Sequence, residues 1–206
     1  NPQDKVGLMY PDIGGYEAKD IEFVCGFDVD KRKVDKHLVE ALTAEPNCSM
    51  DHVDVIGNVV VNKNAHVYSG PVLDGVAEHM KDYPAEVSFR TGAIPAEPYS
   101  RVVELLKYHK VDVVINYLPV GSHEATKFYI DAAIDAGCHF VNCIPTFIST
   151  EEAMEVEQRF IDAGLTIVGS DMRSGFGASR LSEILQAGML DSGLSVTQHI
   201  QMNMAC

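Results

Sequence analysis

The stretch INYLPVGSHEAT, residues 115–126, decides the fold, because it joins an apolar run to an amphipathic run through a short turn. Residues 111–118 have the continuous apolar character of a buried strand. Residues 122–137 have helical spacing, with Ser122 as N-cap and Gly137 as C-cap. Backbone N–H groups at such a helix start can bind an anion or a polar ligand, although an ordinary turn between strand and helix has the same pattern.

The same alternation of strand and helix extends over most of the chain. Further strands are predicted at 21–29, 139–144, 165–169 and 195–204, and further helices at 31–44, 100–110, 151–164 and 180–193. Short connections between such elements favour a parallel sheet with right-handed crossovers. The continuous apolar strands indicate that helices cover both faces of the sheet. We therefore predict an α/β fold with a parallel sheet.

Composition limits the classes of partner. The 206 residues are 46% hydrophobic and 22% charged, as in globular proteins, and the net charge is −14. Such an acidic chain is a poor match for duplex nucleic acid or anionic lipid. No apolar run is long enough to span a bilayer. The five cysteines form no CxxC pair and the eight histidines have no paired metal spacing, so no metal site is predicted. The acidic charge is typical of a soluble cytoplasmic protein, and a cytoplasmic location is expected.

Two carboxylates end the strand at 21–29, in the sequence FDVD at 27–30. In a dinucleotide-binding fold, an acidic residue at the end of the second strand accepts hydrogen bonds from the adenosine ribose. Asp28 is the candidate, with Asp30 next to it. The alternative is that the carboxylate caps the following helix.

A glycine-rich loop, GSDMRSGFGAS at 169–179, follows another predicted strand. Its Asp171, Arg173 and Ser174 combine a carboxylate, a guanidinium and a hydroxyl with free backbone N–H groups, which suits a phosphate or a carbonyl oxygen. The order of residues is not that of a P-loop. The alternative is a flexible loop in which Arg173 pairs with Asp171.

Together these motifs resemble the inositol-1-phosphate (inositol-3-phosphate) synthase family in its short prokaryotic form. The matching stretches are GLMY at 7–10, FDVDKRKV at 27–34, GPVLDG at 70–75, the block KVDVVINYLPVGSHEATKFYIDAAIDAGCHFVNCIPTFIS at 110–149, IVGSDMRSGFGA at 167–178 and QMNM at 201–204. The block at 110–149 is long and specific. The order and spacing of the stretches fit the family over nearly the whole chain.

The resemblance implies an NAD-dependent isomerase that converts glucose 6-phosphate to inositol phosphate by oxidation, enolisation, aldol closure and reduction. It implies a Rossmann-like NAD-binding domain at 1–194 and the first strand of an α+β catalytic and oligomerisation domain at 195–206. It also implies a homotetramer for the full-length protein. The family's glycine-rich dinucleotide loop is expected before Asn1 and its catalytic lysines after Cys206, so this chain alone is expected to be inactive.

The resemblance also implies roles for individual residues. Asp171 and Arg173 would be catalytic. The cofactor-binding residues would be Asp28, Asp30, Leu118, Pro119, Gly121, Ser122, Tyr129, Asn142, Pro145 and Ser174. Arg173 stands where the family has a lysine, and a guanidinium stays protonated, so Arg173 cannot act as a base, although it could stabilise an enolate oxygen. Two alternatives therefore stay open: an NAD-binding relative with lost or altered cyclisation, and a nucleotide-binding or assembly module without catalysis.

Overall fold

A computed structural model describes residues 10–45, 60–76, 78, 82–84, 88, 90–92, 94–146, 151–169 and 178–200. The described residues fall into two compact units, 10–169 and 178–200. The strands are β1 (Glu22–Asp28), β2 (Val60–Ser69), β3 (Val113–Asn116), β4 (His139–Asn142) and β5 (Ile167–Gly169), and the helices are α1 (Leu38–Leu42), α2 (Tyr99–Tyr108), α3 (His123–Ala136), α4 (Glu151–Asp162) and α5 (Ala178–Asp191). Helix α5 lies in the second unit, and the other elements lie in the first.

The strands form two sheets, β1–β2 and β3–β4–β5, in which every pairing is parallel. The predicted parallel α/β fold is therefore confirmed, with two sheets in place of one. The N–H of His139 donates to the Asp112 oxygen at 2.8 Å, and the N–H of Cys143 donates to the Asn116 oxygen at 3.0 Å. Because a parallel strand bonds one neighbour through every second residue, Val113 and Ile115 direct their backbone groups to the opposite edge of β3. No strand among the described residues pairs there.

The core lies where α2, α3 and α4 pack on one face of β3–β4–β5. Its buried members are Val102, Leu106, Ile130, Ala132, Ala133, Cys138, Phe140 and Phe160. Phe140 and Phe160 are the largest of these and are almost fully excluded from solvent. Each therefore buries more apolar area, and contributes more hydrophobic free energy, than any other residue of the core. On the opposite face of this sheet, Val113, Ile115 and Val168 are each 42–49% exposed.

Helices lie on both sides of strand β1, as the sequence predicts, whereas one face of β3–β4–β5 stays exposed. A Cβ added to Gly26 would lie 3.2 Å from the Leu38 side chain of α1, so α1 packs on the Gly26 face. The Phe27 ring lies 5.6 Å from the Tyr129 ring of α3. Since successive residues of a strand point to opposite faces, α1 and α3 lie on different sides of β1.

The helix predicted at 31–44 is reduced to the five residues of α1. The N–H of Asp35 donates to the Val67 oxygen at 2.8 Å, and the Val67 N–H donates to the Lys36 oxygen at 3.0 Å. This pairing draws the chain along β2, and Asp35 takes a positive φ of 66°. The helix begins only after His37, whose Nδ1 accepts the Val39 N–H at 3.3 Å. Tertiary pairing therefore replaces the local helical preference.

The strand predicted at 195–204 is not formed over residues 195–200, and residues 201–204 lie outside the described residues. An alternating segment becomes a strand only when a neighbouring strand completes its hydrogen bonds, and residues 178–200 supply a single helix and no strand. The proposed domain boundary at residue 195 stays a prediction, since the division into compact units falls earlier, between residues 169 and 178. None of the described helices is long and apolar enough to cross a membrane.

Candidate functional site

Most of the predicted site residues lie at the carboxyl ends of the strands in the first unit. Asp28 ends β1 and Asp30 follows it, residues 118–122 follow β3, and Asn142 ends β4, with Pro145 shortly after it. Asp171, Arg173 and Ser174 lie outside the described residues, so their roles stay predictions. The described residues contain no cluster of three or more side chains that could hold a metal ion.

Asp28 lies half-buried at the end of β1. Its Oδ1 accepts the N–H of Asp30 at 2.8 Å, and its backbone oxygen accepts the N–H of Gly70 at 2.9 Å. The hydroxyl of Tyr129 lies against Gly70, and a Cβ at Gly70 would overlap it. Burial, and then the charge of Asp28, raise the pKa of Tyr129, so the phenol stays protonated. A carboxylate and a neutral phenol thus stand together at this strand end, a set of groups that suits the hydroxyls of a ribose.

A cavity of about 200 Å³ opens beside Asp28, between the β1–β2 sheet and α1. It is lined by Gly26, Phe27, Asp28, Lys33, Leu38, Ala41, Leu42 and Val67. Pockets that enclose a whole drug-sized ligand usually measure about 300–1,000 Å³. This cavity could therefore take only part of a dinucleotide, and its lining is mostly apolar.

Asp30 is only 2% exposed and has partners within the chain. Its carboxylate accepts two hydrogen bonds from the Arg32 guanidinium, at 2.9 Å from Nε and 2.8 Å from Nη2. Burial by itself would raise the pKa of Asp30, but the hydrogen bonds from Arg32 outweigh burial and lower it. Arg32 Nη2 also donates to the Ser88 oxygen at 2.6 Å, so the pair links Ser88 to the end of β1. The Asp30 carboxylate is therefore a structural group here, and its contact with a cofactor stays a prediction.

The start of α3 differs from the sequence expectation. Ser122 occupies the N-cap position, but its side chain makes no capping hydrogen bond. The cap is the carboxylate of Asp74, which accepts the N–H of Glu124 at 2.7 Å and the N–H of Ala125 at 3.0 Å. The expectation that these N–H groups are free to bind an anion is therefore wrong. Gly75, at φ 77°, lets the capping segment approach, because a Cβ there would overlap the Ser122 hydroxyl.

Replacing Asp74 by alanine should destabilise the chain by about 0.5–2 kcal/mol at neutral pH, the usual cost of losing an N-cap. Burial would raise the pKa of Asp74, but hydrogen bonds from the N–H groups of Glu124, Ala125 and His123 lower it. A carboxyl with a lowered folded-state pKa stabilises above its unfolded pKa of about 3.9, and this contribution is lost as the pH falls through the folded-state value.

Urea unfolding of both proteins at several pH values would measure this contribution. The difference in free energy of unfolding between the two proteins should reach its maximum at pH 6–8, a range well above a carboxyl pKa of about 3.9. It should decrease as the solution becomes acidic. Glu45→Ala, at an exposed site, serves as the control and should change stability by less than about 0.5 kcal/mol. A constant difference down to the lowest pH would contradict a role for the Asp74 charge.

A buried polar network joins the ends of β3 and β4. The Asn116 Nδ2 group donates to Thr126 Oγ1 at 3.1 Å and to Asn142 Oδ1 at 2.9 Å. Asn142 Nδ2 donates to the oxygens of Ile144 at 2.9 Å and Thr146 at 3.2 Å. Asn142, which the sequence analysis places near the cofactor, is 1% exposed, so its side chain shapes the loop at 144–146.

The loop after β3 is the most open part of this edge. Pro119 and Gly121 are exposed, Leu118 is half-buried, and Gly121 has φ 92° with open space around its Cα. Pro145, after β4, is also exposed. The structure thus brings residues 118–122 and 142–145 to one edge, as expected for adjacent parallel strands, with Pro119, Gly121 and Pro145 exposed there.

Three residues that shape this region were not predicted from the sequence: Asp74, Asn116 and Thr126. Asn116 and Asn142 are the last residues of two apolar strands, in VVIN and HFVN, and they are register partners. An asparagine at the end of each of two apolar strands was the signal from which this pair could have been predicted. Nothing local marks Asp74, because its partners are 50 and 51 residues away in the chain.

The edge of a parallel sheet with these groups defines a class of protein: an α/β fold of the Rossmann-like kind. A solved structure of this fold, the crystal structure of Ari2, superposes with a TM-score of 0.70 at 28% identity, over 96% of this chain and 51% of Ari2. No family model matches the chain.

Sequence relatives make the likeness more particular. The chain is 42% identical, over 98% of its length, to the inositol-3-phosphate synthase of Corynebacterium glutamicum. It is 40% identical, over 96% of its length, to the inositol-3-phosphate synthases of Mycobacterium tuberculosis and Mycolicibacterium smegmatis. The resemblance to inositol-phosphate synthases is therefore confirmed, and the chain spans about half the length of these curated relatives, 50–52%.

Proposed function

We propose that this chain is the central part of an inositol-phosphate synthase, an enzyme that converts glucose 6-phosphate to inositol phosphate with NAD. The observation that carries the proposal is the 42% identity to the Corynebacterium glutamicum synthase, which runs through 98% of the chain. The proposal includes a homotetramer of the full-length protein and a cytoplasmic location.

The residues at the strand ends fit part of NAD. The Asp28 carboxylate, with the neutral Tyr129 phenol beside it, suits the adenosine ribose. The exposed backbone at Pro119 and Gly121, between Leu118 and Ser122, would form the wall of the crevice, and Asn142 and Pro145 would shape its nicotinamide side. The α3 N-terminus does not fit the pyrophosphate, because Asp74 already accepts its N–H groups.

The pyrophosphate would then be bound by a glycine-rich loop on a further strand of the same protein. The proposal assigns that strand to the position between β1 and β3, where the backbone groups of Val113 and Ile115 face outward. A parallel strand in this position would join β1–β2 and β3–β4–β5 into one continuous sheet, and its carboxyl end would bring the loop to the edge that carries Asp28 and Gly121.

Bound NAD would supply the capacity to accept a hydride from the sugar and to return it. The chain's own contribution to the chemistry would come from Asp171 and Arg173, and Ser174 would bind the cofactor. Arg173 keeps its proton at any physiological pH, so its role would be to bind phosphate or to stabilise a developing enolate oxygen. The second candidate function is an NAD-binding relative with lost or altered cyclisation, and it rests on Arg173 at a position where the family has lysine.

The test uses the complete protein that contains this chain. Purified protein is incubated with glucose 6-phosphate and NAD, and inositol phosphate is measured. Production that depends on NAD would support the synthase. NAD binding without product would favour the second candidate, and neither binding nor product would overturn both. The chain of 206 residues alone should give no product, and turnover by it would refute the view that it is only the central part.

Replacement of Arg173 by lysine separates the two candidates further. In an altered relative, Arg173→Lys should create or raise cyclisation, because lysine can exchange a proton and arginine cannot. Arg101→Lys is the matched control, since Arg101 forms an exposed ion pair with Glu104 and lies outside the proposed site. An unchanged rate in Arg173→Lys would show that the residue serves through its charge alone.

A further inference from the structure

The network at the ends of β3 and β4 is a chain of hydrogen bonds with a fixed direction. Asn116 Oδ1 accepts the N–H of Leu118 at 3.1 Å, so the Asn116 amide must direct its Nδ2 into the interior. That Nδ2 donates to Asn142 Oδ1, which in turn directs Asn142 Nδ2 toward the carbonyl oxygens of the next loop. The orientation of each amide therefore follows from that of the other.

Thr126 is the second partner of Asn116. Its hydroxyl accepts one Asn116 Nδ2 hydrogen at 3.1 Å and donates to the Ser122 oxygen at 2.6 Å. Both Nδ2 hydrogens of Asn116 and both of Asn142 are thereby used. Asn116, Ser122, Thr126 and Asn142 are each at most 4% exposed, and a buried amide without partners would cost free energy. The side chains of Asn116, Thr126 and Asn142, together with the Ser122 backbone oxygen, are thus too constrained to rearrange independently.

The network holds three pieces of backbone at one time. It fixes Leu118 at the start of the loop after β3, Ser122 at the end of that loop, and residues 144–146 after β4. The hydroxyl of Thr146 is buried and has no partner among the described residues, so this loop is held by its carbonyl oxygens. The ligand-facing backbone at 118–121 and at Pro145 takes its shape from groups that no ligand can reach.

We propose that Asn116 and Thr126 are positioning residues, which set the two loops at 118–122 and 144–146 for binding of the cofactor. This inference rests on the proposed function, in which these loops form the nicotinamide side of an NAD site. The residues act through the backbone and do not touch the ligand. Removing the Thr126 hydroxyl should therefore weaken NAD binding while the chemistry of the sugar, once NAD is bound, is little changed.

The experiment compares Thr126→Val and Thr126→Ser in the complete protein. Valine keeps the shape of threonine but removes the hydroxyl, and serine keeps the hydroxyl. With Thr126→Val, the Kd and KM for NAD should rise about 5- to 100-fold, the factor that loss of one buried hydrogen bond gives. At saturating NAD, kcat and the KM for glucose 6-phosphate should change less than about threefold, a difference below 1 kcal/mol.

Thr126→Ser should restore NAD binding to within about threefold of the wild type. Thr43→Val, at an exposed threonine whose hydroxyl donates to the Glu40 oxygen, is the control for the same chemical change and should leave NAD binding unaltered. If Thr126→Val does not fold, Thr126→Ala replaces it, because alanine also removes the hydroxyl but places no methyl group against Asn116 Nδ2.

The outcomes separate this proposal from the proposed function. Failure of the wild-type protein to bind NAD would refute the proposed function and this inference with it. If the wild type binds NAD and Thr126→Val only lowers the unfolding midpoint, with its Kd for NAD unchanged, the network is purely structural and this inference alone is wrong. Loss of binding in Thr126→Val with recovery in Thr126→Ser would support it.

Discussion

Replacing Gly169 by alanine is expected to destabilise the chain by about 3 kcal/mol or more, the sum of backbone strain at a positive φ and overlap with the backbone of the paired strand β4. Gly169 ends β5 with φ 126°, a conformation that residues with a Cβ rarely adopt. A Cβ there would overlap the backbone oxygen of Asn142, its register partner in β4. Because the neighbouring atom belongs to a paired strand, it cannot move aside without breaking the sheet.

Urea unfolding of the chain, followed by circular dichroism, would measure the loss. Gly137→Ala is the matched control, because Gly137 also has a positive φ, 81°, but no atom lies within 4 Å of a Cβ built there. This control should cost about 1 kcal/mol from the left-handed backbone alone. Equal losses in the two variants would show that β4 does not approach Gly169 closely.

Asp30→Ala is the second substitution with a large expected effect, a loss of about 3–5 kcal/mol at neutral pH. The substitution removes a carboxylate that is 2% exposed and leaves the Arg32 guanidinium, 23% exposed, without its bidentate partner. Ser88 and Thr91 should also be held less firmly, because Arg32 donates to Ser88 and Asp30 forms a bridge with Thr91.

Thermal or urea unfolding across pH would test both the size and the origin of this loss. The pKa of Asp30 is lowered in the folded chain, so its contribution should be full above about pH 4 and should decline as the pH falls through the folded-state value. Glu104→Ala, which breaks the exposed pair with Arg101, should cost about 0–1 kcal/mol and serves as the control. A loss for Asp30→Ala no larger than this would show that the pair is not a structural tie.

The elements between residues 99 and 169 could be predicted from the sequence because their signals are local. Helix α3 begins after Ser122 and ends before Gly137, whose φ of 81° fits the predicted C-cap, although Asp74 and not the Ser122 side chain caps the start of the helix. Strands β3, β4 and β5 lie inside the predicted apolar runs, each a few residues shorter. The helix at 31–44 was overestimated because its first half pairs with Val67, a contact that no local pattern contains.

The positions of the candidate site residues could be predicted from the sequence, but their hydrogen-bond partners could not. A sequence shows that Asp28, Leu118 and Asn142 stand at strand ends, and parallel topology brings such ends together. It does not show that Asp74 caps α3, since that contact joins distant segments. The sequence also does not show that the Asn142 side chain accepts a hydrogen bond from Asn116. An amide at a strand end has the same local pattern whether it faces a ligand or a neighbouring strand.

The exclusively parallel pairing of the described strands has a consequence for how this chain reaches its folded state. No pair of neighbouring strands is joined by a hairpin, and the register partners Val113 and His139 are separated by a whole helix and its two loops. Each strand pair can therefore form only after the intervening helix has formed and packed. Folding is consequently slower than in folds that are built on local contacts. We expect folding times of the order of milliseconds to seconds rather than microseconds, with the α2–α3 contact as an early event.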